Sequence, residues 1–383
     1  MEKPRGFEEN RQLARKKIEK KAFFAYGANL DSVIPLNLIQ ARLVSPYLPG
    51  LLESMKKGEG REIRVSKAAF RKTIELLPCG SKRVGGQAGN MALDAARLGV
   101  LSYMHTPSRS GELLSLFRSN RVLVAGENGF VPAKEASDNS KPPVHLILEF
   151  KKGLETPSSN RFIASCENLN PSLCIDPLFS RNIAREIPEI SRGFVAGFHL
   201  LSPKVFEERK KVVVKQLLGW KMQNPDLKIH LEWGSFISGE TERLAEKHIL
   251  PLVDCVGFNE DEVPSTGIGT IEKFLDKTKT VVLHTRDYSL AFSKEFEAKS
   301  LSCSLAFASC VAGFKASRGR APTLAELKKT GFKPKKISPP KFDERKLLGK
   351  GISFAFSPSV EITPKFTVGL GDCFSMAFFL TLK

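Results

Sequence analysis

Aromatic side chains with a polar handle are scarce in this chain, which has four Tyr and two Trp among 383 residues. A stacking platform for nucleic acid interleaves aromatics with Lys and Arg, and no such alternation is present. That disfavours a basic nucleic-acid-binding protein, although 59 Lys and Arg against 41 Asp and Glu leave a net charge of +18. Charge of this sign draws anions in general, whether nucleic acid, a membrane face or a phosphorylated small molecule. Long apolar runs are missing too. The basic start MEKPRGFEENRQLARKKIEKK leads into FFAYGANLDSVIPL, where Gly27, Asn29, Asp31 and Pro35 interrupt any signal-peptide core or membrane span. The seven Cys are odd in number and scattered, and the close pair Cys303 and Cys310 falls in an apolar helical run. Neither a disulfide framework nor a zinc knuckle is supported, so a reducing, cytoplasmic setting without membrane attachment is expected. Internal repeats are also lacking.

What is present is apolar bulk in an alternating order. With 42% hydrophobic residues and 27 Phe, the chain can bury a large core and a smaller second one. KAFFAYGANL reads as a buried strand, NMALDAARLGV as a helix, KVFEERKKVVVKQLLGWKM as a helix, KIHLEWGSF as a strand and TERLAEKHIL as a helix. LVDCVGFN and KTVVLHT follow as short strands, SLSCSLAFASCVAGFKASRG as a helix, and GLGD as a loop entering a last helix. Such alternation predicts an α/β fold with a parallel sheet covered on both faces. Two stretches break the rhythm: residues 32–82, with the strand candidate GREIRVSK, and residues 140–168, with the strands PPVHLILEFKKG and SSNRFIASCEN. They predict a smaller β-containing subdomain, leaving 1–31, 83–139 and 169–383 as the core. The Lys- and Pro-rich segment 333–351 reads as a solvated surface loop.

Several short motifs carry chemistry. In TVGLGDCFSMAFFLTL two glycines allow a tight turn that leaves the amides of Leu370, Gly371 and Asp372 at a helix N-terminus, where an anion is favoured. Asp372 beside such an anion hole is placed to take a proton from a hydroxyl while the amides hold phosphoryl charge; the plain alternative is a helix cap. RVGGQAGNMALDAARLG is a glycine-rich turn entering a helix, with Gln87 and Asn90 as polar groups. It is neither a Walker loop nor a full dinucleotide fingerprint. His230 and Glu232 share one face of a strand near its C-terminal end, where open parallel sheets bind ligands, or else form a satisfied buried pair. Asn259 and Glu262 fit a capping box opening a helix as well as they fit a site.

Taken in order, FFAYGANLD, GGQAGN, SSNRFIAS, HLE, NEDE, HTRDY and GLGD make the sequence resemble the ADP-dependent sugar kinases, the glucokinase and phosphofructokinase family of the ribokinase superfamily. The resemblance spans nearly the whole chain and implies a ribokinase-like αβα sandwich core with a lid. It implies Asp372 as catalytic base, with Gly369, Leu370 and Gly371 as the anion hole and Arg161 reaching from the lid to phosphate. Glu232 and Glu262, with Asp372, match the magnesium cluster, and Asn259 lies by the nucleotide phosphates. Mg2+ suits such a sparse set, because it keeps several waters and takes one or two carboxylates. Asn29, Asp31, Gly86, Gln87 and Asn90 match sugar-contacting positions, and His284 and Tyr288 would lie near adenine. Glu62 falls near the carboxylate that glucose-using relatives carry, while Lys57, Arg61 and Arg64 offer charge for a sugar phosphate.

The implied substrates are ADP and a sugar or sugar phosphate, in a monomer or weak homo-oligomer. An ATP-dependent sugar or nucleoside kinase of the same superfamily remains the near alternative, because no residue chemistry in the sequence separates the two donors. A catalytically dead scaffold is the third, set against intact acidic positions.

Overall fold

The computed structural model describes residues 6–153, 155–262, 268–340 and 344–383. Its strands are β1 (Lys21–Phe24), β2 (Asn29–Pro35), β3 (Arg61–Arg64), β4 (Ser81–Gly85), β5 (Leu101–Met104), β6 (Val122–Gly126) and β7 (Gly129–Pro132). They continue with β8 (Val144–Phe150), β9 (Asn160–Ser165), β10 (Arg192–Val195), β11 (Lys228–Glu232), β12 (Cys255–Asn259), β13 (Thr280–His284), β14 (Tyr288–Ser293) and β15 (Ser353–Pro358). Ten form one sheet in the order β15-β14-β13-β12-β11-β10-β1-β5-β6-β7, and five form another in the order β3-β9-β8-β2-β4. From β13 through to β6 the large sheet is parallel, whereas β14 and β15 at one edge and β7 at the other run antiparallel. The expectation of a parallel sheet therefore holds for its interior and not for its edges. β14 and β7 each follow their neighbour through a tight hairpin, which a parallel connection of that length cannot make, whereas the edge strand β15 is reached only after the helix Ala298–Arg318 and the segments that follow it.

Side-chain alternation divides the large sheet's surroundings. Phe24, Phe194, Cys255, Val282 and Ala291 face the helices Gln87–Arg97, Ala298–Arg318 and Leu370–Thr381. Phe23, Val195, Ile229, Leu231, Val256 and Val281 face Pro177–Glu186, Pro203–Gln223, Gly239–His248 and Ile268–Leu275. This is the αβα sandwich expected from the sequence. The small sheet has a core of its own, in which Ile34, Leu146, Leu148, Phe150, Phe162 and Ala164 pack under Ala41, Val44, Leu51, Met55 and Phe70. The opposite face of that sheet carries Asp31, His145, Glu149 and Arg161, with Asp31 registered against His145 and Glu149 against Arg161.

Two expectations are corrected. KAFFAYGANL is not one strand: β1 stays in the large sheet, and β2 starts the small sheet at Asn29. Gly27 between them adopts φ +88°, a left-handed conformation that turns the chain out of one sheet and into the other at little cost for glycine. The 333–351 segment is also more than a solvated loop. It holds a β-bridge from Pro334 to Val360 and the helix Glu344–Gly349, whose Leu347 is buried in the second core cluster. The cysteines are free thiols, as expected from their spacing. No helix among the described residues is long and apolar enough to cross a membrane.

The closing helix Leu370–Thr381 is buried from Cys373 to its end, so its last carbonyls need partners inside the protein. Arg192, at the start of β10, supplies them: Nε donates to the Phe379 carbonyl at 3.1 Å, Nη2 donates to the Leu382 carbonyl, and the guanidinium lies 5.3 Å from the centre of the Phe379 ring. Arg192→Met strips these donors and is expected to lower unfolding free energy by about 2–4 kcal/mol. The denaturant midpoint measures it; a midpoint equal to that of the unsubstituted protein would show that water serves those carbonyls equally well.

Candidate active site

Three segments meet at the C-terminal ends of the large sheet's strands. The first is the turn before the closing helix. Gly369 caps it with φ +63°, and the helix starts at Leu370, leaving Gly369, Leu370, Gly371 and Asp372 half-buried. Each glycine is needed for space. A Cβ on Gly369 would stand 2.9 Å from Asn90 Nδ2 and 3.0 Å from Lys315 Nζ, and one on Gly371 would stand 2.8 Å from His284 Cε1. Asn90 Nδ2 donates to Asp372 Oδ2 at 2.9 Å. The density of protein around the Asp372 carboxyl pushes its pKa up to about 6, with the charge on Glu232 adding to the rise and Lys315, Asn90 and Arg161 opposing it.

The second segment is the end of β11 with its neighbours on β12 and β13. Glu232 is buried, and its Oε2 lies 3.1 Å from His230 Nε2 while its Oε1 lies 3.7 Å from His284 Nε2. Burial alone would raise its pKa, but the two imidazoles outweigh that and hold the carboxyl well below the usual carboxylate range. Gly257 on β12 leaves the room, since a Cβ there would meet His230 Cε1 at 2.8 Å and Glu232 Oε2 at 3.1 Å. After β12 the chain forms a turn in which Asn259 Oδ1 accepts from the Asp261 amide at 2.8 Å and Glu262 Oε2 from the Asn259 amide at 2.9 Å. These are reciprocal capping-type bonds on a turn; the helix they were expected to open would run through residues 263–267, which lie outside the described residues. The Glu262 carboxyl is pushed up to about 7 by burial and by the charge on Glu232. Two crowded hard-oxygen groups in this state suit a magnesium ion and its waters. Among the described residues, no three His, Cys, Asp or Glu converge as a ready-made cage.

The third segment is the open face of the small sheet. Asn29 Nδ2 donates to Asp31 Oδ1 at 2.6 Å. Glu62 Oε1 on β3 lies 3.8 Å from His145 Nδ1, and Glu167 Oε1 lies 3.2 Å from His145 Nε2. Burial works against a charged His145, but these carboxylates raise its pKa above the ordinary value. Burial pushes Asp31 up to about 6, with His145 and Asn29 opposing the shift. Gly86 (φ +76°) brings the chain against the Gly27 carbonyl, where a Cβ would be 2.6 Å away. Gln87 Oε1 accepts from the Gly197 amide at 3.0 Å, next to the buried His199. Arg161 crosses from this sheet to the closing turn, where its Nη1 donates to the Thr367 carbonyl at 3.4 Å.

Comparison with known proteins places the chain in a family. Residues 44–271 match the ADP-specific phosphofructokinase/glucokinase conserved region. The chain belongs to this ADP-dependent kinase family. It is 27% identical to the ADP-dependent glucose/glucosamine kinase of Pyrococcus furiosus, over 88% of this chain and 83% of that one. It is 26% identical to the ADP-specific phosphofructokinase of Pyrococcus horikoshii, over 63% of each chain. An ADP-dependent kinase solved in complex with fructose-6-phosphate and ADPβS superposes with a TM-score of 0.82 at 21% identity, covering 98% of this chain and 96% of that one. That likeness shows the shared fold.

In this ADP-dependent kinase family member, the motif residues fall into two groups and one outlier. Asp372, Gly369, Leu370, Gly371, Glu232, Glu262, Asn259 and Asn90 cluster on the large sheet; Asn29, Asp31, Glu62, Gly86 and Gln87 belong to the small sheet or its junction with the large one. His284 packs against Glu232 and the Phe374 ring, 5.2 Å between ring centres, beneath the closing turn. Tyr288 is the outlier: it stands across the hairpin with its ring 6.1 Å from that of Phe356. Sequence reasoning missed His145, Glu167, His199, Lys315 and Asp94. His145 had a signal, because period-two alternation in VHLILEF puts it opposite Leu146 and Leu148; the others had none.

Asp31 gives a pH-dependent test. Its folded pKa of about 6 lies above the ordinary 3.8, so the fold holds the neutral form more tightly than the unfolded chain does. That contribution is fully present below about pH 4 and is lost as pH rises through about 6. Asp31→Asn is therefore expected to raise the unfolding free energy of the substrate-free protein by roughly 2 kcal/mol at pH 8, with little change at pH 3.5. Denaturation at the two pH values checks it, and a loss of stability at pH 8 would mean that His145 more than repays the buried charge.

Proposed function

We propose that this protein transfers the β-phosphoryl group of ADP to a sugar hydroxyl, giving AMP and a sugar phosphate, with glucose, fructose 6-phosphate or both as acceptor. The observation that carries the reading is the closing turn: a carboxylate, a helix N-terminus and a pair of glycines face the polar side of a second sheet. The relatives' own activities, ADP-dependent glucose/glucosamine kinase and ADP-specific phosphofructokinase, support the donor and the acceptor class.

Asp372, charged at neutral pH with a pKa of about 6, accepts the proton of the attacking hydroxyl. The amides of Leu370, Gly371 and Asp372 hold the charge of the transferred group, and Asn90 keeps the Asp372 carboxyl oriented. Asn29, Asp31, Glu62, Gly86 and Gln87 bind the sugar, with His145 fixing Glu62 and Glu167 fixing His145. Arg161 ties the small sheet, acting as the lid, to the closing turn; the closed arrangement excludes water that would otherwise compete as acceptor. The lid comprises residues 32–82 and 140–168, with the strand ends at Asn29–Asp31 and Arg83–Gly85 as its junctions. Glu262, and Glu232 through water, would hold a magnesium ion, which neutralises nucleotide phosphate charge when bound. Since both oxygens of Glu232 face imidazoles, Glu262 is the better direct partner, and Asp372 is reserved for the proton. His284 supports Glu232 in this reading, and Asn259 shapes the phosphate end of the site. Tyr288 stays on the nucleotide side.

A coupled assay of AMP formation with ADP or ATP, and with glucose or fructose 6-phosphate, tests donor and acceptor together. Asp372→Asn keeps the shape of the turn but loses the proton acceptor, so turnover is expected to fall about 100-fold or more while nucleotide binding survives. Near-normal turnover would remove Asp372 from this role. Glu62→Ala is expected to lower activity with glucose by about 10-fold and to spare fructose 6-phosphate, because an unpaired acceptor hydroxyl discriminates strongly. Equal losses on both sugars would show that Glu62 does not choose between them.

A further inference from the structure

We propose that Lys315 is a positioning residue for phosphoryl transfer, holding the Gly369 turn and, through Asn90, the Asp372 carboxyl in working geometry. The inference rests on the kinase reading and adds a residue that none of its motifs contains. Lys315, on the helix Ala298–Arg318, is 7% exposed and is the one buried lysine among the described residues. A buried ammonium is costly unless paired, and Asp94 Oδ2 accepts from its Nζ at 2.7 Å.

The place of this pair is what makes it more than a packing solution. Asp94 lies one helical turn after Asn90 on the helix Gln87–Arg97, so both side chains leave the same face. Asn90 holds Asp372 at 2.9 Å, and a Cβ built on Gly369 would meet Asn90 Nδ2 at 2.9 Å and Lys315 Nζ at 3.0 Å. An amide and an ammonium from two different helices thus fill the space beside the left-handed residue that caps the third. Asp94 takes one of the three donors of Lys315, and the ammonium lies beside a turn whose amides face the transferred phosphoryl group. Its positive charge favours the ionised Asp372 and any anion at that turn.

A purely structural ion pair can be exchanged for a neutral pair of similar volume without loss, and a positioning charge cannot. The test compares Lys315→Met, Lys315→Arg and the neutral double substitution Lys315→Met with Asp94→Asn in the full-length protein. Circular dichroism and denaturation report folding, and steady-state kinetics report kcat and KM separately. The expected result is a kcat about 10-fold lower or worse in Lys315→Met, with both KM values within about 3-fold of the unsubstituted protein. The double variant should regain stability but not kcat, and Lys315→Arg should regain part of kcat. A double variant with full kcat would overturn the inference and leave the pair structural. Measuring Asp372→Asn and the unsubstituted protein in the same assay separates the two levels: loss of turnover in Asp372→Asn alongside a fully active double variant rejects Lys315 alone, whereas no sugar phosphorylation by the unsubstituted protein rejects the kinase reading itself.

Discussion

Electrostatic repulsion among carboxylates is the constraint around which this protein is arranged. The charge on Glu232 is felt by both Glu262 and Asp372, and burial with that charge pushes both of them toward the neutral form. The fold answers with graded compensation. Glu232 is clasped by two imidazoles and stays ionised, Asp372 is steadied by Asn90 and Lys315, and Glu262 has a backbone amide and little else. The three carboxyls therefore differ in charge tendency, with Glu232 held ionised and Asp372 and Glu262 pushed up to about 6 and about 7. A second set on the small sheet repeats the device, with His145 set between Glu62 and Glu167 and close enough to Asp31 to moderate its buried charge.

Holding such groups requires rigid supports, and the large sheet provides them. β11, β12 and β13 deliver Glu232, Asn259 and His284 at their C-terminal ends, as parallel sheets deliver ligand-binding groups generally. Behind them the closing helix is buried along its body and exposed only at its N-terminus. Its apolar sequence, CFSMAFFL, makes that position favourable, and Arg192 at the other end removes the penalty of buried carbonyls. The C-terminal end of the helix is thereby anchored to β10, and the amides at Leu370 to Asp372 stand at its half-buried N-terminus.

Much of this was legible from the residues because the relevant signals are local. A run such as CFSMAFFL can only be a buried helix in this context, and GLGD before it marks a turn by glycine geometry alone. His230 and Glu232 follow from strand period. What escaped depends on contacts between distant segments. Nothing in KAFFAYGANL distinguishes one strand from two in separate sheets, because the break is made by the backbone angle of Gly27, and Leu30 is as apolar as Phe23. Lys315 sits in a helix crowded with small residues, where a lysine reads as the polar end of a helix; only Asp94, 221 positions away, explains its burial. The helix at Glu344–Gly349 was hidden by surrounding Lys and Pro, although Leu347 is apolar and packs inside.

Thr367 joins the two sheets in a way that bears on how the molecule is built as a mechanism. Its carbonyl accepts from Arg161, its hydroxyl donates to Glu149 at 3.4 Å, and Arg161 and Glu149 are cross-strand partners on β9 and β8. Its neighbour Phe366 lies under the Arg83 guanidinium, 5.1 Å from the ring centre, so a third strand of the small sheet grips the same short segment. The loop is a tie-rod in its placement: the contacts with the small sheet fall two residues upstream of the Gly369 turn. Under the proposed function, this strap of backbone links the face that would hold the sugar to the turn that carries Asp372. The Gly369 turn is thereby fastened through Phe366 and Thr367 to three strands of the small sheet, β4, β8 and β9.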